Sequence, residues 1–197
     1  PDLEITLRGP RQILAGWSQI EGFELQFDLH GHAPGTRATV GRNLSALALR
    51  TSHRVPSLAW AVERTTHRLR PEYVGREGRE IAALRAAGEA ITEAHVEPLL
   101  CVTGDTKIEF FDEHELARRC KVLVHECTSW DDRRDVEVTR KWGHTHLDEL
   151  VARAEQFTGE ALVLVHRSMR HSRGEAEAIV ARRFPAAMRG RVHVFGW

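Results

Sequence analysis

The sequence predicts an α/β fold, in which short buried strands alternate with amphipathic helices and each strand ends in a polar turn. Three stretches carry that expectation. LLCVTGDT (99–106) opens with mostly apolar residues over 99–103, is broken by Gly104, and delivers Asp105 and Thr106 into a turn. KVLVHECTS (121–129) and ALVLVHRS (161–168) repeat the design and leave His125, Glu126 and His166 at strand ends. Open α/β sheets gather their ligands outside the carboxyl ends of the strands. Adjacent strands ending in Asp, His-Glu and His would aim those groups at one rim, and a carboxylate among neutral imidazoles suits a zinc-type cation. The competing reading makes each an ordinary loop residue with no shared site.

The totals are compatible with a single domain. A chain of 197 residues, 42% hydrophobic and 28% charged, can bury its own core. No apolar run reaches the roughly 18 residues of a membrane span. The 28 basic and 28 acidic residues cancel, so bulk charge gives no argument for nucleic acid, although it leaves room for a local basic groove. Cys101, Cys120 and Cys127 lack C-x-x-C spacing and are odd in number. That pattern points to reduced thiols in a cytoplasmic setting rather than to a disulfide frame. Twelve histidines strengthen the case for a metal site.

Along the chain, weak alternation predicts a strand over 3–7, ended by Gly9-Pro10, then a short helix over 13–20 and a half-buried strand through Phe23, Leu25 and Phe27. His30-Gly-His32 has spacing that can bind a metal from an extended segment, but Gly31, Pro34 and Gly35 make it equally a plain turn. A strand over 46–51 and another through Leu58, Trp60 and Val62 are joined by a hairpin-like connection over 52–56, which puts His53 at a strand end. The basic run Arg64, Arg68 and Arg70 either meets phosphate or forms a solvated edge. A helix is expected over 78–87, closed by Gly88, and another over 113–120. The mixed charges of 129–141 read as a mobile surface loop. Thr145 is expected to cap a helix with Asp148 at the capping-box position, its stripe of Leu147, Leu150, Val151 and Ala154 facing the core. His144 precedes that cap, where the positive helix end opposes its protonation. Beyond His166, the cluster of Arg167, Ser168, Arg170, His171 and Arg173 either holds a phosphate or is a solvated helix start. A helix over 174–184 and a strand over 191–195, with His193 on its outer face, close the chain.

These motifs resemble the metallo-β-lactamase superfamily, and within it the branch related to ribonuclease Z, the tRNA 3′-end-processing endonuclease. The likeness runs from Gly9-Pro10 to about His171. His53 in SHRVPSLAW looks like the family's isolated histidine ligand, Asp105 in GDT like the carboxylate bridging two metals, and His125-Glu126-Cys127-Thr128 like the HEAT-type loop. Gly143-His144-Thr145 is similar to the GHST segment, whose histidine is implicated in proton transfer. His166-Arg-Ser168 with Arg170 is similar to the final H-x-S-x-R-Y segment, with His171 in place of the Tyr.

The resemblance implies an αββα sandwich in one metallo-β-lactamase-like domain spanning 1–197 and incomplete at its N-terminus. It implies two zinc ions, with manganese or iron as alternatives, held in part by His53, Asp105 and His166. The family's H-x-H-x-D-H motif does not occur, so the chain is expected to be the C-terminal part of a longer protein. The segment 66–98 is expected to be too short for the long tRNA-gripping arm of many ribonuclease Z enzymes. The function so implied is metal-dependent hydrolysis of a phosphodiester, in RNA or a small molecule, by a two-metal-activated water. His144 and Glu126 would be catalytic and Arg170 and Ser168 substrate-binding, with no membrane partner expected and a homodimer suggested by the likeness. Two rivals stay open: hydrolysis of a small ester, lactone or thioester on the same fold, and a metal-free relative acting as a binding or scaffold subunit.

Overall fold

The structure is a computed structural model that describes residues 30–196. The strand over 3–7, the helix over 13–20 and the alternation at Phe23 to Phe27 lie outside the described residues. Those residues form a seven-stranded sheet whose spatial order follows the chain. β1 (Arg37–Gly41), β2 (Leu44–Arg50), β3 (Leu58–Leu69) and β4 (Thr92–Val102) run antiparallel. β5 (Val122–Glu126), β6 (Ala161–Val165) and β7 (Val192–Val194) then continue parallel to β4. The helices lie in the connections: α1 (Gly78–Ala86), α2 (Glu109–Glu113), α3 (Glu115–Arg119), α4 (Val136–Lys141), α5 (Leu147–Arg153) and α6 (Arg173–Arg183).

Strand alternation sorts the sheet into two faces. Ala59, Ala61, Cys101, Leu123, Leu162 and Leu164 point into one core with Phe110, Phe111, Ala117, Leu147, Leu150 and Ala176 of the helices. Trp60, Val62, Leu100, Val102, Val124 and Val163 alternate with them and are half-buried or exposed. One sheet with one buried helical layer is half of the four-layer arrangement that the family resemblance implies. The expected α5 stripe does its packing work: Leu147, Leu150 and Ala154 are buried and Val151 lies against the cluster.

Several local expectations are corrected. The helix expected over 113–120 is present as α3 (Glu115–Arg119), and a separate turn that was not expected, α2, precedes it across His114, which is extended (φ −109°, ψ 97°). The charged stretch 129–141 is only partly loop, since α4 occupies Val136–Lys141 and its start is packed. Trp130 is buried and its indole N–H donates to the Cys127 carbonyl at 2.6 Å, and Asp135 caps α4 by accepting from Val138 N at 2.7 Å. The cap of α5 is His146, not Thr145: its ring accepts from Asp148 N, while Glu149 closes the capping box on His146 N.

β4 begins earlier than its apolar run, because polar residues from Thr92 to Pro98 pair with β3. Pro98 sits at the register shift near Glu63, where a missing N–H costs the ladder least. Beyond β2 and β5, Thr65 to Leu69 and Thr92 to Val96 pair with each other, a ribbon about 17 Å long at 3.4 Å per residue. Its tip carries the 3-10 turn Pro71–Tyr73 and α1, with Gly88 in the left-handed conformation that ends the helix. The 66–98 segment therefore builds a short arm. At its base Arg64 is engaged with Glu97, a solvated ion pair rather than a vacant phosphate contact.

Candidate functional site

Parity of the strands assembles the site. β4, β5 and β6 are parallel, so the residues just past them share one rim; β2 is two antiparallel steps from β4, so the 51–57 loop reaches that same rim. The Thr106 hydroxyl joins the loops by accepting from Ser52 N at 3.0 Å. In consequence His53, Asp105 and His144 bring ligand atoms within 4.8 Å of one another, as do Glu126, His144 and His166. His166 Nε2 lies 3.7 Å from Asp105 Oδ1. The His144 ring stacks on His166 at 5.1 Å between centroids and lies 5.3 Å from His53.

Glu126 organises this rim from below. It is fully buried, and its Oε1 accepts from Thr106 N at 3.2 Å, Thr145 N at 3.0 Å and His144 Nδ1 at 3.0 Å. Its Oε2 accepts from the Thr128 hydroxyl at 2.9 Å. The bond from Glu126 raises the pKa of His144 above the ordinary imidazole value, against the opposing effect of partial burial. The helix-end argument, which favoured a neutral His144, is thereby overridden by a buried carboxylate at hydrogen-bond distance. His125 alternates with Glu126 and turns the other way. It is fully buried, edge-on to Phe110, with Nδ1 2.6 Å from the Glu126 carbonyl, and burial lowers its pKa. It takes no part in the rim.

His144 owes its place to the end of α4. Gly143 N donates to Arg140 O at 2.9 Å and His144 N to Thr139 O at 3.2 Å, with Gly143 at φ +88°: a Schellman closure with glycine in its usual left-handed place. The His53 loop is packed against this turn, with the Arg54 guanidinium 4.9 Å from the Trp142 ring centroid. His166 is also left-handed, at φ +60°. A non-glycine residue held there costs about 1–2 kcal/mol and marks a position kept for its side chain. Sequence reasoning named Gly143, Thr106 and Thr128 only as parts of motifs and gave them no role. The signal for Gly143 was present in D-VEVTRKW-G, an N-cap and a C-terminal glycine around one short helix. The two threonines stand inside the GDT and HEAT-type stretches, but nothing in those stretches shows what their hydroxyls bond.

Ser168 and Arg170 lie to one side. They share a cleft with Thr128, Asp131 and His171, in which Arg170 N approaches Ser168 Oγ at 3.5 Å and His171 Nε2 approaches Asp131 at 3.3 Å. His32 is elsewhere, edge-on to Trp60 at 5.2 Å and next to the Thr36 hydroxyl, and it joins no convergent group among the described residues.

The donors fit a divalent ion. Atoms bound to a tetrahedral zinc at 2.0–2.1 Å stand about 3.4 Å apart, close to the His166–Asp105 separation of 3.7 Å. That separation is too long for a hydrogen bond, so the pair is poised around a space rather than bonded to itself.

No family model matches the chain. tRNase Z TRZ1 of Arabidopsis thaliana is 36% identical over 176 residues, which span 88% of this chain and 62% of that protein. The metallo-β-lactamase fold protein YhfI from Bacillus subtilis superposes with a TM-score of 0.50 at 18% identity, over 90% of this chain and 59% of that one. The short form of human tRNase Z (ELAC1) gives 0.50 at 16% identity, over 95% and 62%. At such identities the structural likeness speaks to fold alone. The chain therefore has the metallo-β-lactamase fold and is similar in sequence to a tRNase Z, of whose length it spans 62%.

Proposed function

We propose that the protein hydrolyses phosphodiester bonds, with RNA as the favoured substrate, at a divalent metal centre to which His53, Asp105 and His166 contribute. The convergence of those side chains with His144 at one rim carries the reading. Three ligands cannot close two sites; in this reading the other donors come from the H-x-H-x-D-H segment expected upstream. Bound ions, zinc in the first instance, supply electrophilic charge and an acidified water.

The chain's own groups do the rest. Asp105, between His53 and His166, spaces the two halves of the centre. Glu126 accepts the Nδ1 proton of His144 and leaves Nε2 facing the rim, where a protonated imidazole gives its proton to the leaving oxygen. The bond from Glu126 keeps more of His144 in that charged form. Arg170 and Ser168 extend the rim toward the Asp131 cleft, the position for the flanking phosphate. No described helix is long and apolar enough to cross a membrane. Three buried unpaired thiols support a reducing, cytoplasmic compartment, and a homodimer is the assembly proposed.

The test is hydrolysis by the full-length protein of a phosphodiester chromogen, a 3′-extended tRNA and a lactone panel. Turnover of the first two with none of the third is expected; lactone turnover alone would replace this reading with the small-ester rival. Asp105→Ala is expected to lose zinc and turnover together. His144→Ala is expected to cut turnover by about 10²–10⁴ with zinc content unchanged, and zinc loss in that variant would overturn the division of roles.

A further inference from the structure

We propose that Thr128 is a positioning residue that sets the tautomer of His166, so that the Nε2 lone pair of that ring faces Asp105. The inference rests on reading His166 as a metal ligand, and adds the device that prepares it. The Thr128 hydroxyl has one proton to give and two neighbours, Glu126 Oε2 at 2.9 Å and His166 Nδ1 at 2.8 Å. A carboxylate only accepts, and the other oxygen of Glu126 is already taken by two backbone N–H groups and His144. The hydroxyl proton therefore goes to Glu126, and a hydroxyl lone pair is what His166 Nδ1 meets. That nitrogen must carry the hydrogen. A neutral ring then has its free lone pair on Nε2, the atom 3.7 Å from Asp105 Oδ1.

The arrangement is a carboxylate–hydroxyl–imidazole relay in place of the direct carboxylate–imidazole pair common around metal-binding histidines. One buried carboxylate thus fixes two rings: His144 directly and His166 through Thr128. The threonine follows Glu126 by two residues at the end of β5, and its own backbone is engaged independently of the hydroxyl, Thr128 N donating to Thr145 O at 3.1 Å and Thr128 O accepting from Ser168 N at 3.3 Å. Thr128→Val keeps the shape and those bonds and deletes the relay alone; Thr128→Ser keeps the relay.

The test is long-range ¹H–¹⁵N correlation NMR of the metal-free full-length protein labelled with ¹⁵N-histidine, at a pH where His166 is neutral. Zinc competition against a chromogenic chelator is measured in parallel. The wild type and Thr128→Ser are expected to show His166 protonated on Nδ1, and Thr128→Val a shift toward the Nε2–H form with a 10–100-fold loss of zinc affinity. An Nε2–H tautomer in the wild type, or an unchanged tautomer in Thr128→Val, overturns the proposal. If Thr128→Val does not fold, the wild-type spectrum alone still decides it. A shifted tautomer with unchanged zinc affinity leaves Thr128 its role and removes His166 from the metal centre.

Discussion

Replacing Gly143 with alanine puts the packing of the rim under direct strain. A Cβ there would lie 2.8 Å from His53 Cδ2, 3.0 Å from Arg54 Cγ and 3.0 Å from the Arg54 backbone nitrogen. Carbon contacts are comfortable at about 3.5–4.0 Å, so the 53–54 segment must retreat by about half an ångström or more. The backbone nitrogen cannot rotate away as a side chain can. Gly143 also sits at φ +88°, which costs alanine about 1–2 kcal/mol; relieving the clash without movement would cost about 1–3 kcal/mol more. The cheaper relief moves the His53 loop, held here by the Ser52 N–Thr106 Oγ1 bond and the Arg54–Trp142 stack, because Gly143 itself is locked in the α4 closure. The expected result for the full-length Gly143→Ala variant is a Tm lowered by about 2–8 °C and zinc affinity reduced tenfold or more, about 1.4 kcal/mol. Calorimetry and chelator competition measure the two. Gly143→Asn, which tolerates the left-handed backbone but brings the same Cβ, is expected to recover most of the Tm and none of the affinity. Wild-type Tm and wild-type affinity in Gly143→Ala would refute the argument.

Glu97 pairs with Arg64 and Lys121 at the base of the arm, and those bonds hold its carboxyl down to about 2. A depressed carboxyl pKa contributes stability that is present above the unfolded value near 4.5 and lost as pH falls toward 2. Glu97→Gln is therefore expected to lower stability at neutral pH, to match the wild type near pH 2, and so to flatten the pH dependence between those limits, as urea unfolding across that pH range would show. Burial pushes the Cys120 thiol up to about 12 and raises Cys101 and Cys127 as well. Mass spectrometry is expected to find none of the three alkylated by iodoacetamide at pH 8 before unfolding; modification of the folded protein at wild-type stability would contradict their packing. Arg140 bridges Glu109 and Glu149, tying α4 to α2 and α5. Arg140→Met is expected to cost about 2 kcal/mol in urea unfolding, because a nearly buried Glu149 is left uncompensated, and Glu149→Gln in the same chain is expected to recover part of it.

Strands written as apolar runs were readable without coordinates, since a short continuous run of β-branched and other apolar residues bounded by turn residues marks a strand: 99–103, 121–126 and 161–165 all lie on observed strands or directly continue them. So was the order of the rim, because a residue just past a parallel strand has only one end of the sheet to occupy. Other parts were not readable. The arm strand from Thr92 to Pro98 is polar and exposed, so it lacks the alternation that marks a half-buried strand, and pairing with β3 alone decides it. Helix α4 was hidden by its charges, although Asp135 and Gly143 bracket it.

The sequence by itself determined which groups stand at strand ends: Asp105, Glu126 and His166, with His53 in the loop between two strands. Strand-end placement follows from local hydrophobic pattern, which a linear chain carries in full. Tertiary structure alone decided how those groups address one another. It turned His125 inward and Glu126 to the rim, raised the pKa of His144 through a carboxylate 18 positions away in the chain, and inserted Thr128 between Glu126 and His166. Hydrogen-bond partners across such separations depend on strand register and on the depth at which a charge is buried, and neither exists until the sheet has closed its core.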